Sequence, residues 1–458
     1  MTEFEEIPDP PAETATDVPL DIVDDSAHKL AEESARSVPE AVETKSRPAA
    51  TATGSVSFHR GELGNGMPVF YLRVPGNRLD GAFVVRGGNR HDPVRKEGLV
   101  RMMTHAMNTG SQNLDAESIA QLQELLENKF FLFNHGTVET YYTLWKGACQ
   151  KPDALDYVSL MHDIISQPLF KDIEYAREMV RRERKTAGKS KYEKLVHRKI
   201  TGAIYGVDEL GSAYGIPEDD ILDSLTRDDI VAIHHDIYDQ QNMCLLLIGD
   251  VDFEELFAEL FGIFNHKSDA HAPPPRLHAI EPGIPLPREQ HFIPQSGKPS
   301  GRTEVSLTWV TRRGQTTVAS LVRGILMKSL AADFPEDRLV KSYRSPEAET
   351  FSIHVKVESR RAPEVKKKLI MVATDRDGIL RHLEAAKKKA LFEMNMKTGT
   401  VENMIDEAAR DWVDTGRILT PQERVTALES ITPEIVVDFL TNDLRPSHCH
   451  VATVDQSL

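Results

Sequence analysis

The chain has 458 residues, 40% hydrophobic and 28% charged, enough for two or three ordinary globular domains with a sizeable core. Its formal charge of −16 argues against nucleic acid or an anionic membrane surface as the main partner. Cys149, Cys244 and Cys449 are too scattered for a disulfide framework, and no apolar run reaches the ~20 residues of a membrane-spanning helix. The acidic start, Met1 to Glu6, has neither the apolar region of a signal peptide nor the arginines of a transit peptide, so the expected compartment is the cytoplasm.

Residues 1–55 hold thirteen Asp or Glu against four Lys or Arg, six prolines and one aromatic, Phe4. Such a segment cannot bury enough apolar surface to offset its ordering entropy, so a disordered acidic tail is expected here. Order is expected to begin near Gly61, with a tight turn at Gly64-Asn65-Gly66 and a strand over Val69 to Leu72. A second strand is expected from Ala82 to Arg86, closed by Gly87-Gly88.

The next stretch, Gly98 to Ser111, reads as a helix apolar nearly all round. Its one polar stripe is Arg101, Thr104, His105 and Asn108, at i, i+3, i+4 and i+7. A buried helix needs partners for such a stripe. Arg101 and His105 sit where an inverted His-x-x-Glu-His zinc helix carries its two histidines, and only the second is a histidine here.

Further helices are expected over Ala116 to Glu127 and over residues 153–166, with a strand pair at Phe130 to Asn134 and Thr140 to Leu144 between them. A long charged helix is expected from Asp172 to Lys191. Thr226, with Asp229 three residues on, opens a capped helix, and sixteen residues after Thr226 comes Asn242, at the head of a buried strand Met243 to Ile248. Thr432-Pro433 opens a second such helix, and sixteen residues after Thr432 comes His448, at the head of a strand running to Val454. Equal spacing in the two halves points to an internal duplication. Between them, Ala272 to Pro275 and Glu281 to Pro287 form a proline-rich linker.

The expected fold is therefore α+β: two similar lobes, each a mostly antiparallel sheet with helices packed on it, joined by that linker. The expected divisions are 1–55 tail, 56–265 N-terminal lobe, 266–290 linker and 291–458 C-terminal lobe.

Several ordered stretches resemble the pitrilysin/insulinase family of zinc metallopeptidases: Leu63 to Gly66, Val84 to Gly88, Gly98-Leu99, Asn108 to Ser111, and Ser224 to Asp252 with Tyr238, Asn242, Gly249 and Asp250. The resemblance implies one half of a clamshell around a peptide. It places Arg101 at the first zinc histidine, Thr104 at the general base and His105 at the second histidine. Val180-Arg181-Arg182-Glu183 resembles the family's Val-x-x-Glu, which puts Glu183 at the third ligand. A catalytic zinc needs three protein ligands plus water, Thr104 cannot act as a base near neutral pH, and a permanently charged Arg101 repels a dication. No intact catalytic set and no bound metal are therefore expected, zinc being required only in an active partner.

For peptide binding the resemblance points to Phe130 and Asn134 on the substrate-pairing edge strand, and to Arg344 and Phe351 in the second lobe. Phe351 stands at a tyrosine position without its hydroxyl. Read without the family, His105 is a hydrogen-bonded core residue and Glu183 a solvated one; the adjacent His234 and His235 point apart, and His448 and His450 belong to strand packing. If Glu183 does face inward, a charge-assisted bond from Arg101 is expected in place of the metal. Three functions follow in order: the non-catalytic subunit of a zinc-peptidase heterodimer, binding peptide or unfolded polypeptide and shaping the partner's chamber; a stand-alone peptide-binding scaffold; and an active enzyme with altered ligands.

Overall fold

The structure, a computed structural model, describes residues 58–93, 95–119, 121, 131–132, 136–186, 219–264, 289–292, 299–335, 338–344, 349–397 and 401–457. The acidic tail, the proline-rich linker up to residue 288, and most of the expected helix after Ala116 lie outside the described residues.

The N-terminal sheet is built from β1 (Phe58–Glu62), β2 (Pro68–Arg73), β3 (Arg78–Val85), β4 (Phe131–Leu132), β5 (Thr137–Val138), β6 (Thr143–Gln150) and β7 (Met243–Gly249). Its order is β1-β2-β7-β3-β6-β4, with β5 also on β6. All pairs are antiparallel except β2 with β7. The central strands are apolar on both faces, as expected of strands covered from both sides. On the inner face lie α1 (Leu99–Met107), α2 (Ala154–Ser166), α3 (Ile173–Thr186), α4 (Asp219–Ser224), α5 (Arg227–Ile237) and α6 (Phe253–Ile263).

The C-terminal lobe repeats this plan. Strands β8 (Glu289–Phe292), β9 (Pro299–Thr311), β10 (Arg338–Arg344), β11 (Glu349–Glu358) and β12 (His450–Ser457) form a sheet ordered β10-β11-β9-β12-β8, again with one parallel pair, β8 with β12. Its helices are α7 (Thr316–Ser329), α8 (Ala362–Ala373), α9 (Arg376–Lys397), α10 (Val401–Thr415), α11 (Pro421–Glu429) and α12 (Pro433–Asn442). The duplicated unit is seen twice. Thr226 caps α5 in a capping box with Asp229 and Thr432 caps α12, and each helix leads through a short 3-10 turn into a central strand, β7 or β12. In the second copy the strand starts at His450, because residues 446–448 form that turn.

The domain divisions need two corrections. Glu289 and Gln290, assigned to the linker, already belong to β8. Helix α10, assigned to the C-terminal lobe, packs on the outer face of the N-terminal sheet: Ile405, Ala409, Trp412 and Val413 cover Phe70, Ala82, Val84, Leu246 and Ile248. The sheet's outer face is apolar, so it must be covered by something. Polar ties fix the helix there. Lys146 Nζ meets Asp406 Oδ1 at 2.8 Å, and the Arg86 guanidinium stacks 4.0 Å over the Trp412 ring while its Nη2 donates to the Trp412 carbonyl at 2.9 Å. No helix among the described residues is long and apolar enough to cross a membrane.

Three half-buried histidines of the N-terminal lobe are biased toward the neutral form. Burial drives His91, His162 and His234 from the ordinary 6.5 down to about 4. His234 Nε2 donates to the Ile165 carbonyl at 2.9 Å, and His162 packs edge-on against Phe264 at 4.2 Å. A group whose folded value is lowered in this way binds its proton more tightly unfolded. Its contribution is complete above 6.5 and is lost as pH falls toward 4. Asp92 works in the opposite sense: burial raises it to about 7, which favours the fold at low pH. Three histidines outweigh one carboxyl, so urea unfolding should show stability falling between pH 6.5 and 4. Replacing His162 by Leu should reduce the slope of that limb; an unchanged slope would show that His162 is not one of the titrating groups.

Candidate functional site

The site lies where α1 and α3 pack together beside the edge strand β5. Helix α1 starts at Gly98, which is left-handed (φ 85°). Its first turn is capped from outside the helix: the Asp92 carboxylate accepts the Gly98 N–H at 2.7 Å and the Val100 N–H at 2.8 Å. Eight of the nine α1 residues are buried, Arg101 being the exception. On α3 the spacing Ala176, Val180, Glu183 is i, i+4, i+7, so the two apolar residues that pack into the core carry Glu183 onto the same face toward α1.

Arg101, His105 and Glu183 meet there. Arg101 Nη1 donates to Glu183 Oε2 at 2.9 Å, and His105 Nε2 lies 3.1 Å from Glu183 Oε1. The second arm of the guanidinium, Nη2, donates to the Val138 carbonyl on β5 at 3.3 Å. The expected ion pair is therefore present. His105 is buried, while the side chains of Arg101 and Glu183 are 26% and 31% exposed. Burial by itself would raise the Glu183 carboxyl. Hydrogen bonds and charge from His105 and Arg101 outweigh it and hold the group down at about 2. Thr104 is buried and its hydroxyl donates to the Arg101 carbonyl at 2.8 Å, one turn back on its own helix. It has no spare proton acceptor of useful basicity.

This donor set does not fit a divalent cation. Both Glu183 oxygens are engaged, one of them by a guanidinium that cannot deprotonate, and no group of three or more His, Cys, Asp or Glu among the described residues is arranged to hold a metal.

The expected peptide contacts fare differently. Phe130 and Asn134 lie outside the described residues. Their neighbours Phe131–Leu132 pair with Ala148 and Gly147 of β6, as an edge strand should. Gly136, between β4 and β5, lets the chain close on β6, since a Cβ there would stand 2.7 Å from Thr143 Cγ2. Arg344 ends β10 opposite Glu349; its side chain lies outside the described part. Phe351 is corrected. It is 0% exposed, on the inner face of β11, with its ring 6.4 Å from Trp309 and 6.0 Å from Phe439. Loss of the hydroxyl leaves a ring that packs in the core, and it presents no surface to a peptide.

Two contributors carried no clear sequence signal. Val138 acts through its carbonyl, which no side-chain motif encodes. Asp92 caps α1 from six residues upstream, outside the usual capping spacing.

Removing one charge from the pair should cost about 2 kcal/mol, the scale of a charge-assisted hydrogen bond. The 3–5 kcal/mol of a dry pair, roughly, is too large for side chains this accessible. Arg101→Met and Glu183→Gln should each lower the unfolding free energy obtained from urea titration by that amount. The double variant should fall well short of the sum, and full additivity would show that the two residues do not interact.

The sequence pattern described as Insulinase (Peptidase family M16) matches residues 78–218, and that described as Peptidase M16 inactive domain matches residues 224–335. An uncharacterized zinc protease of Rickettsia bellii is 21% identical over 393 residues, covering 82% of this chain and 92% of its own. Among solved structures, a protease from Helicobacter pylori superposes with a TM-score of 0.73 at 13% identity, over 88% of this chain and 100% of its own. A putative M16-like peptidase from Alicyclobacillus acidocaldarius gives 0.72 at 14% identity, over 89% and 100%. A peptidase M16 inactive domain from Pseudomonas fluorescens gives 0.68 at 14%, over 88% and 98%. At these identities the structures establish the fold alone.

Proposed function

Because this chain belongs to the insulinase family, peptidase family M16, we propose that it is a non-catalytic member that binds an extended peptide and shapes the chamber of an active zinc-peptidase subunit of the same family. The observation that carries the reading is the state of the motif helix. Where hydrolysis needs a general base beside a metal-bound water, Thr104 spends its hydroxyl on its own helix and Arg101 sits on Glu183.

Peptide binding needs none of that machinery. The β4–β5 edge hangs on β6, and among the described residues no further strand pairs with its outer side. An extended chain adds to such an edge by main-chain hydrogen bonds, with side-chain selection by its neighbours. Phe130, Asn134 and Arg344 remain the proposed peptide contacts, and the cytoplasm the proposed compartment. Zinc enters only with the partner.

The test uses the full chain with an unstructured fluorescent peptide of about a dozen residues, long enough to span a strand. The chain alone should bind the peptide without cleaving it. Mixed with an active family member from the same organism, it should raise that enzyme's turnover. Chelator-sensitive cleavage by the chain alone would overturn the non-catalytic reading. Binding that no active relative responds to would favour a stand-alone scaffold.

A further inference from the structure

We propose that Arg101 is the resident cation of this site: its guanidinium ties α1, α3 and the β5 edge into a metal-independent clamp, making Arg101 a positioning residue for peptide binding. The inference rests on the peptide-binding reading given above and assigns the residue that sets the edge.

Strand β5 is two residues long, Thr137 and Val138, paired with Leu144 and Thr143. So short a ladder cannot fix its own position, because one or two backbone bonds barely offset the ordering of the chain that makes them. Val138 is buried at 6% exposure, and its carbonyl takes the Arg101 Nη2 hydrogen bond. The same guanidinium is held by Glu183 at 2.9 Å, and Glu183 is held in turn by His105 at 3.1 Å. Position therefore passes from two packed helices to the edge strand through one planar, five-donor group. A divalent ion bound by Glu183 would neutralise that carboxylate, but it would leave the Val138 carbonyl without the N–H that aims at it. Arg101 does both.

The fork geometry matters as well as the charge. Lysine offers three donors on a single nitrogen at the end of a flexible stem, and lacks the two nitrogens held apart in one plane that Arg101 sets on Glu183 and Val138. Arg101→Lys should keep the attraction to Glu183 and release Val138. That separates a positioning role from a merely structural one.

The experiment measures peptide affinity, melting temperature and amide hydrogen exchange for the full chain and for Arg101→Lys, each with EDTA and with added zinc. For the unmodified chain, affinity and melting temperature should be the same under both conditions. Arg101→Lys should melt close to the unmodified chain while its peptide affinity falls by about tenfold, and the Leu144 amide, which faces β5 opposite Thr137, should exchange about tenfold faster, the loss expected of one charge-assisted bond. Loss of stability or affinity in EDTA would overturn the proposal. So would an Arg101→Lys variant that binds peptide and protects the Leu144 amide as the unmodified chain does. If the unmodified chain binds no peptide, the functional reading fails, and the exchange rates still decide whether the clamp exists.

Discussion

A carboxylate drawn between two packed helices has to be neutralised, and at Glu183 a guanidinium and an imidazole from successive turns of one helix do it. The interaction fixes more than a charge. It requires α1 to present Arg101 and His105 on one face, α3 to turn Glu183 inward with Ala176 and Val180, and the loop before α1 to hold the helix start on Asp92. Burial works against the ion, and the His105 and Arg101 neighbours outweigh it. A zinc site of this family uses a metal for the same electrostatic task. Here the Arg101 and His105 side chains perform it, which is the basis of the non-catalytic reading proposed above.

Around that centre the fold is a duplicated unit with an exchange between its halves. Each lobe runs a capped helix through a short turn into the central strand of its sheet, and each sheet holds a single parallel pair involving that strand. Helix α10 then leaves its own lobe to cover the apolar outer face of the other. The Arg86–Trp412 stack and the Lys146–Asp406 pair register it there. The site stands on the opposite, inner face of that sheet. Its geometry thus rests on a sheet whose back is closed by the second half of the chain.

Much of this was legible in the residues. The polar stripe on α1 followed from helical spacing and the two-lobe plan from the repeated sixteen-residue offset, whereas the ion pair needed the family resemblance to turn Glu183 inward, since its charged helix alone reads as solvated. What escaped has physical reasons. The start of β3, Arg78 to Gly81, lacks apolar alternation, so the strand was expected only from Ala82 although it begins at Arg78. The exchange of α10 is a long-range packing choice: its pattern of Ile405, Ala409, Trp412 and Val413 says that one face is buried and is silent about which sheet buries it. Phe351 was misjudged because a matched position was taken to imply a matched exposure, whereas an aromatic without its hydroxyl is free to pack inward. The Val138 carbonyl belongs to the backbone, where sequence carries no label.

The central claim is that Arg101 stands in for the metal, and metal content tests it most directly. The full chain, purified without chelator and equilibrated with zinc before gel filtration, should retain far less than one zinc per chain by elemental analysis. Arg101→His combined with Thr104→Glu should retain close to one, lost again on His105→Ala. One zinc per chain in the unmodified protein, abolished by His105→Ala, would contradict the account.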